Sequence, residues 1–135
     1  MEPSLTLARR LYPLAEDEYL AASSTMMVLE DEGAEIAGPV SNVVCALKLV
    51  NERTFEPDGA ILDLSLRGTM AYRLAETLTE YQTSFVFVTG HYCSSAPKPF
   101  MFVPCLSKPY KEKKLVAMLA SLPVRQSRPG VHPAG

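Results

Sequence analysis

Three carboxylates, one hydroxyl and one ammonium stand in this chain at positions where polar groups are able to converge. Glu16 and Asp17 follow the apolar run Leu11–Ala15, and Asp63 ends the run Ala60-Ile-Leu. Thr89 and Gly90 close the run 85–88, and Lys108-Pro109 follows the run 102–106. Carboxylates crowded into one crevice repel one another and stay ionised only if a cation offsets them. Each group alone has a plain structural explanation. Glu16-Asp17-Glu18 reads as a solvated helix start favoured by the helix dipole, Thr89 as a turn former, and Lys108 as a surface charge. Asp63 resists such a reading, because a carboxylate after Ala-Ile-Leu is costly to desolvate without a partner. One polar group at each of four strand ends is a joint pattern that the separate explanations do not produce.

The elements that must position these groups alternate. Short apolar strands at 11–15, 34–40, 60–64, 85–88 and 102–106 are separated by helical segments at 19–32, 41–52 and 69–81, and a last helix covers 110–122. Gly33 stops the first helix, Ser41 caps the second, and Pro57-Asp58-Gly59 forms a turn. Tyr19, Leu20, Met26, Met27 and Leu29 supply the apolar face of the first helix. Val44, Leu47, Leu49 and Val50 do so for the second, and Tyr72, Ala75 and Leu78 for the third. Leu115, Met118, Leu119 and Leu122 do so for the last, opposite Lys111, Lys113 and Lys114. The stretch 91–99 is rich in Ser and Pro and is a poor helix. Pro13 marks a bulge in the first strand. Strands apolar on both faces, alternating with helices, define an α/β fold: a flavodoxin-like, doubly wound, five-stranded parallel sheet of order 2-1-3-4-5 with helices on both faces. In that fold, sites lie beyond the carboxyl ends of the strands at the topological switch point.

The 135 residues fit one domain, divided as an extension at 1–8, a domain at 9–122 and a disordered tail at 123–135 with three prolines, two glycines and no acid. A formal charge of −2 argues against a nucleic-acid module driven by phosphate contacts. Residues 1–63 nevertheless hold twelve acids and four bases, and residues 64–135 three acids and nine bases, so the fold decides whether opposite charges meet. Cys45, Cys93 and Cys105 are odd in number with no CxxC pair; they read as buried small hydrophobes in a reducing cytoplasm. No apolar run approaches the roughly 20 residues that span a bilayer, and neither a membrane nor a signal peptide is expected.

With these residues in view, the chain resembles a bacterial response-regulator receiver domain over residues 10–122. The segments LAEDE, GAILDLSL, FVFVTGHY and LSKPY carry the resemblance in the family's order and spacing. The resemblance implies that Asp63 is the phosphoacceptor, that Asp17 ligates Mg²⁺ directly, and that Glu16 acts in the metal's outer shell or through water. It further implies that Ser65 lends its backbone carbonyl to the metal, Thr89 is the switch hydroxyl, Lys108 pairs with the phosphate, and the Lys108-Pro109 bond is cis. Gly90 leaves room for the phosphoryl group. The implied function is that of a stand-alone regulator in a phosphorelay, taking phosphate from a histidine kinase or phosphotransfer protein. It would switch the surface near the fourth and fifth strands and dephosphorylate itself. No activity on a separate substrate is implied. The downstream target is a protein, and homodimerisation is left open.

Two departures matter. Receivers usually carry Tyr or Phe three residues before the lysine; here that position is Cys105. The segment Phe87-Val-Thr-Gly-His-Tyr92 resembles the FAT-GUY subgroup, which lacks that aromatic, so Tyr92 is expected to take over part of the signalling role. Ser65 and His91, two residues beyond Asp63 and Thr89, are expected to tune the lifetime of the acyl phosphate. The alternative is a receiver-like scaffold that binds partners without phosphorylation. A flavin or nucleotide site would need a phosphate loop where Glu16-Asp17-Glu18 stands, and an aspartyl phosphatase would need an acid where Ser65 stands.

Overall fold

The computed structural model describes residues 6–52, 56–90 and 97–123. Val86, Phe87 and Val88 show why the chain forms a two-sided sheet: all three are buried, Phe87 in one apolar layer and Val86 and Val88 in the other. Successive side chains of a strand point to opposite faces, so an unbroken apolar run needs cover on both sides. The same split separates Leu14 from Ala15 and Ile61 from Leu62.

In chain order the elements are β1 (Leu11–Ala15), α1 (Tyr19–Asp31), β2 (Glu35–Val40), α2 (Val43–Val50), β3 (Ile61–Asp63), β4 (Ser65–Leu66), β5 (Thr69–Met70), α3 (Tyr72–Glu80), β6 (Val86–Thr89), a 3₁₀ turn (Lys98–Phe100), β7 (Cys105–Ser107) and α4 (Glu112–Ala120). The main sheet is parallel, in the order β2-β1-β3-β6-β7. Counting only its five strands, this is the expected 2-1-3-4-5 order of a flavodoxin-like fold. Ala22 and Leu29 of α1 with Leu115, Val116 and Leu119 of α4 cover one face. Ala46 and Val50 of α2 with Leu74, Ala75 and Leu78 of α3 cover the other. Among the described residues, no helix is long and apolar enough to cross a membrane.

Several local expectations change. The first helix buries Ala22, Thr25 and Leu29 and leaves Tyr19, Leu20 and Met27 exposed. Small residues let the helix lie close on its neighbours, and the buried Thr25 hydroxyl bonds with the Tyr110 hydroxyl at 3.2 Å. In α2, Ala46 and Val50 are buried while Val44 is exposed. The cap of α2 is Asn42, not Ser41: Asn42 Oδ1 accepts from the Cys45 amide at 2.8 Å. Phe102 and Val103 precede the last strand rather than forming it, and Phe102 is exposed. The expected helix at 69–81 starts only at Tyr72, because β4 and β5 form an unforeseen hairpin. Leu7, placed in an extension by sequence, is fully buried against α1 and α4 residues, its amide bonded to the Glu32 carbonyl at 2.9 Å. The bulge at Pro13 is present: the β1–β2 register shifts between Pro13 and Ala15. Cys45 is free and exposed, and Cys105 is half-buried and disulfide-bonded, so these two are not the buried thiols expected. Cys93, the 91–96 part of the Ser- and Pro-rich stretch and the tail from 124 on also lie outside the described residues.

Because the α2 cap rests on one side chain, Asn42→Ala should lower stability by about 1 kcal/mol. Ser41→Ala should leave it nearly unchanged. Urea unfolding midpoints of the two variants check the assignment.

Candidate functional site

β2 flanks β1 on one side and β3, β6 and β7 follow on the other, so the direction of winding reverses between β1 and β3. There Ala15 pairs with Leu62, which brings Glu16, just past β1, beside Asp63, the last residue of β3. Asp63 pairs with Val88 and Thr89 with Ser107, and the Lys108 amide donates to the Thr89 carbonyl at 2.7 Å. Parallel pairing thus gathers at one edge of the sheet residues that lie far apart in sequence.

Lys108 is the centre of the cluster. Its Nζ lies 2.8 Å from Asp63 Oδ2, 2.9 Å from Glu16 Oε1 and 3.4 Å from Glu18 Oε1. The second oxygens of Asp63 and Glu16, and one oxygen of Asp17, are tied to backbone. Asp63 Oδ1 accepts from the Ser65 amide at 3.1 Å, and Glu16 Oε2 from the Glu18 amide at 3.1 Å. Asp17 Oδ2 accepts from the Arg67 amide at 2.8 Å. Glu16, Asp63 and Thr89 are buried, and Asp17 is half-buried.

The electrostatics follow from one ammonium serving two buried acids. Burial alone would discharge Lys108, but its hydrogen bonds to Asp63 and Glu16 outweigh that effect and raise its pKa above the ordinary lysine value. Glu16 moves the other way in charge: burial pushes its carboxyl up to about 7, only partly countered by Lys108 and the Glu18 amide, while the Asp63 charge pushes it further. The site is therefore short of positive charge. One oxygen each from Glu16, Asp17 and Asp63 lies within 4.8 Å of the others, an all-oxygen donor set that fits a hard divalent cation such as Mg²⁺.

Of the residues singled out by sequence, Glu16, Asp17, Asp63, Ser65, Thr89 and Lys108 come together. Gly90 follows Thr89, and a Cβ placed on it would meet nothing within 4 Å, so open space borders this strand end. The Lys108-Pro109 bond is cis. Cys105 pairs with Phe87, two residues before Thr89 in β6, and packs against the α2–α3 layer. His91 and Tyr92 lie outside the described residues. Sequence reasoning missed Glu18 as a contact of Lys108 and the Arg67 amide as the partner of Asp17. The run Glu16-Asp17-Glu18 held the first signal. The second lay in Arg67-Gly68 as a two-residue hairpin loop.

No family model matches the chain, and no curated protein matches it. Solved structures do. SdrG from Sphingomonas melonis Fr1 is 33% identical, with 84% of this chain and 97% of that chain covered and a TM-score of 0.69. A CheY-like response-regulator receiver domain from Methylobacillus flagellatus is 25% identical, with 84% and 98% covered and a TM-score of 0.71. A response regulator from Burkholderia pseudomallei, described with a phosphorylated aspartic acid, a calcium ion and citrate, shares the fold at 19% identity, with 82% and 66% covered and a TM-score of 0.67. The chain belongs to the response-regulator receiver domains of CheY-like fold.

The Glu16 shift has a pH signature. With a folded pKa of about 7 against an ordinary 4.5, the folded state holds more protons than the unfolded state between those values. This group's contribution to stability therefore falls as pH rises from about 4.5 to about 7. Urea unfolding without divalent cations should show that loss in the parent relative to Glu16→Gln, and added Mg²⁺ should offset it at pH 8.

Proposed function

We propose that this chain is a phosphoacceptor of a phosphorelay, with Asp63 as the acceptor and Mg²⁺ held by Asp17, Asp63, the Ser65 carbonyl and, through water, Glu16. The observation that supports this best is the position of Lys108 Nζ, within 2.9 Å of both Asp63 and Glu16 at the crowded switch point. The ammonium is already paired with the carboxylate that would accept the phosphoryl group, where it is able to pair with the anion that forms.

In this reading an Asp63 oxygen attacks the phosphorus of a phosphohistidine on a histidine kinase or phosphotransfer protein. The P–N bond breaks, its electron pair returns to the imidazole, and an acyl phosphate forms on Asp63. Bound Mg²⁺ would supply charge neutralisation for the phosphoryl oxygens. Lys108 leaves Glu16 and follows the new anion, and the Thr89 hydroxyl donates to a phosphoryl oxygen. The surface beside β6 and β7 then changes its population of states. Water later attacks the phosphorus and restores the Asp63 carboxylate and inorganic phosphate. The chain catalyses only its own phosphorylation and dephosphorylation, acts in the cytoplasm, and passes the signal to a protein target. Cys105 in place of the strand aromatic, with Tyr92 after Thr89-Gly90-His91, supports a FAT-GUY type of switch in which Tyr92 carries part of the signal.

Labelling by autophosphorylated histidine kinases should require Mg²⁺ and vanish in Asp63→Ala. Lys108→Ala should slow it by about 10²-fold, the usual effect of removing one preorganised electrostatic contact. Absence of label in the parent with kinases and with acetyl phosphate would favour the scaffold reading instead. Tyr92→Ala should keep the label but weaken phosphorylation-dependent partner binding. Substitution of His91 should change phosphoryl lifetime more than yield; equal lifetimes would refute that role.

A further inference from the structure

We infer that the β4–β5 hairpin is a positioning device for the metal carboxylate Asp17, acting through the backbone amide of Arg67. The inference rests on the reading of Asp17 as a Mg²⁺ ligand. Ser65 pairs with Met70 and Leu66 with Thr69, which leaves Arg67-Gly68 as a two-residue loop. Both loop residues have positive φ, +51° at Arg67 and +82° at Gly68, as a type I′ turn demands. Asn, Asp or Gly is the usual first residue of such a turn, and arginine there is strained. The strain has a visible counterpart. In this conformation the Arg67 amide points at Asp17 Oδ2, 2.8 Å away, and this is the only side-chain hydrogen bond of Asp17 among the described residues.

The connection is short and rigid. Asp63 ends β3, Ser65 starts the hairpin while its amide holds Asp63 Oδ1, and the loop returns to hold Asp17. Ala71, directly after the hairpin, has its amide fixed to the Leu64 carbonyl at 2.8 Å. The six residues of β4, loop and β5 thereby link Asp63 at the end of β3 to Asp17, two residues beyond β1. Hydrogen bonds behind a ligand fix its orientation, and their loss typically reduces metal affinity 10–100-fold. The role belongs to the amide and to the turn that aims it, not to the exposed Arg67 side chain.

Gly68 provides a clean probe, because a Cβ there would meet nothing within 4 Å, so a substitution acts through backbone conformation alone. Mg²⁺ titrations followed by amide NMR should show Gly68→Val binding about 10-fold more weakly than the parent. Arg67→Asn keeps the amide and suits positive φ, and it should bind at least as tightly as the parent. Asp17→Asn should bind most weakly. Parent-like affinity in Gly68→Val, or a loss in Arg67→Asn without one in Gly68→Val, would overturn the positioning role while leaving the metal reading intact. Parent-like affinity in Asp17→Asn would instead remove the metal reading. The unaltered protein gives a second readout should Gly68→Val fail to fold. Saturating Mg²⁺ should slow hydrogen exchange at the Arg67 amide, whereas faster exchange would mean that the ion displaces the amide and that the hairpin competes with the metal.

Discussion

A single ammonium shared between two buried carboxylates organises this molecule's functional edge. Lys108 is too well bonded to lose its proton, yet one positive charge cannot satisfy Glu16, Asp17 and Asp63 together. Burial makes the shortage expensive, since buried charge without compensation is strongly unfavourable. Burial raises Glu16 to about 7, and its bond to Lys108 only partly counters that rise. A cluster in this condition accepts further positive charge readily and responds to any group that draws the ammonium away.

The sheet makes the crowding possible. Parallel strands covered by helices on both faces have nowhere to place polar groups except at their ends, and winding in two directions opens a crevice where β1 meets β3. Pairing of Ala15 with Leu62 and of Thr89 with Ser107 sets the spacing to within one residue. The backbone then takes over the fine adjustment: amides of Glu18, Ser65 and Arg67 each hold one carboxylate oxygen. Side chains that repel one another are thus kept close by rigid dipoles.

Much of this was legible because apolar runs and their polar ends are local signals. The runs around Leu62 and Phe87 are buried on both faces, which only a covered parallel sheet allows, and Asp63 after Ile61-Leu62 demanded a partner. Helix faces were read less well. In α1 the large residues Tyr19, Leu20 and Met27 are exposed, while Ala22 and Thr25 lie inside, because close packing favours small residues that hydropathy ranks low. Capping of α2 by Asn42 instead of Ser41 is a shift of one residue that no periodicity resolves. The disulfide at Cys105 was hidden because cysteine spacing carries no information about which sulfurs the fold brings together.

Sequence alone therefore determined the fold class, the strand ends and the identity of the groups that meet there, since hydrophobic period and the cost of burying charge are properties of short segments. Tertiary structure decided what those groups hold. That Lys108 bridges Glu16 and Asp63, that Asp17 leans on the Arg67 amide, and that Glu16 is short of compensation all depend on distances of about 3 Å between residues up to 92 positions apart. Such distances are fixed by register and by turn geometry, and the order of residues along the chain does not contain them.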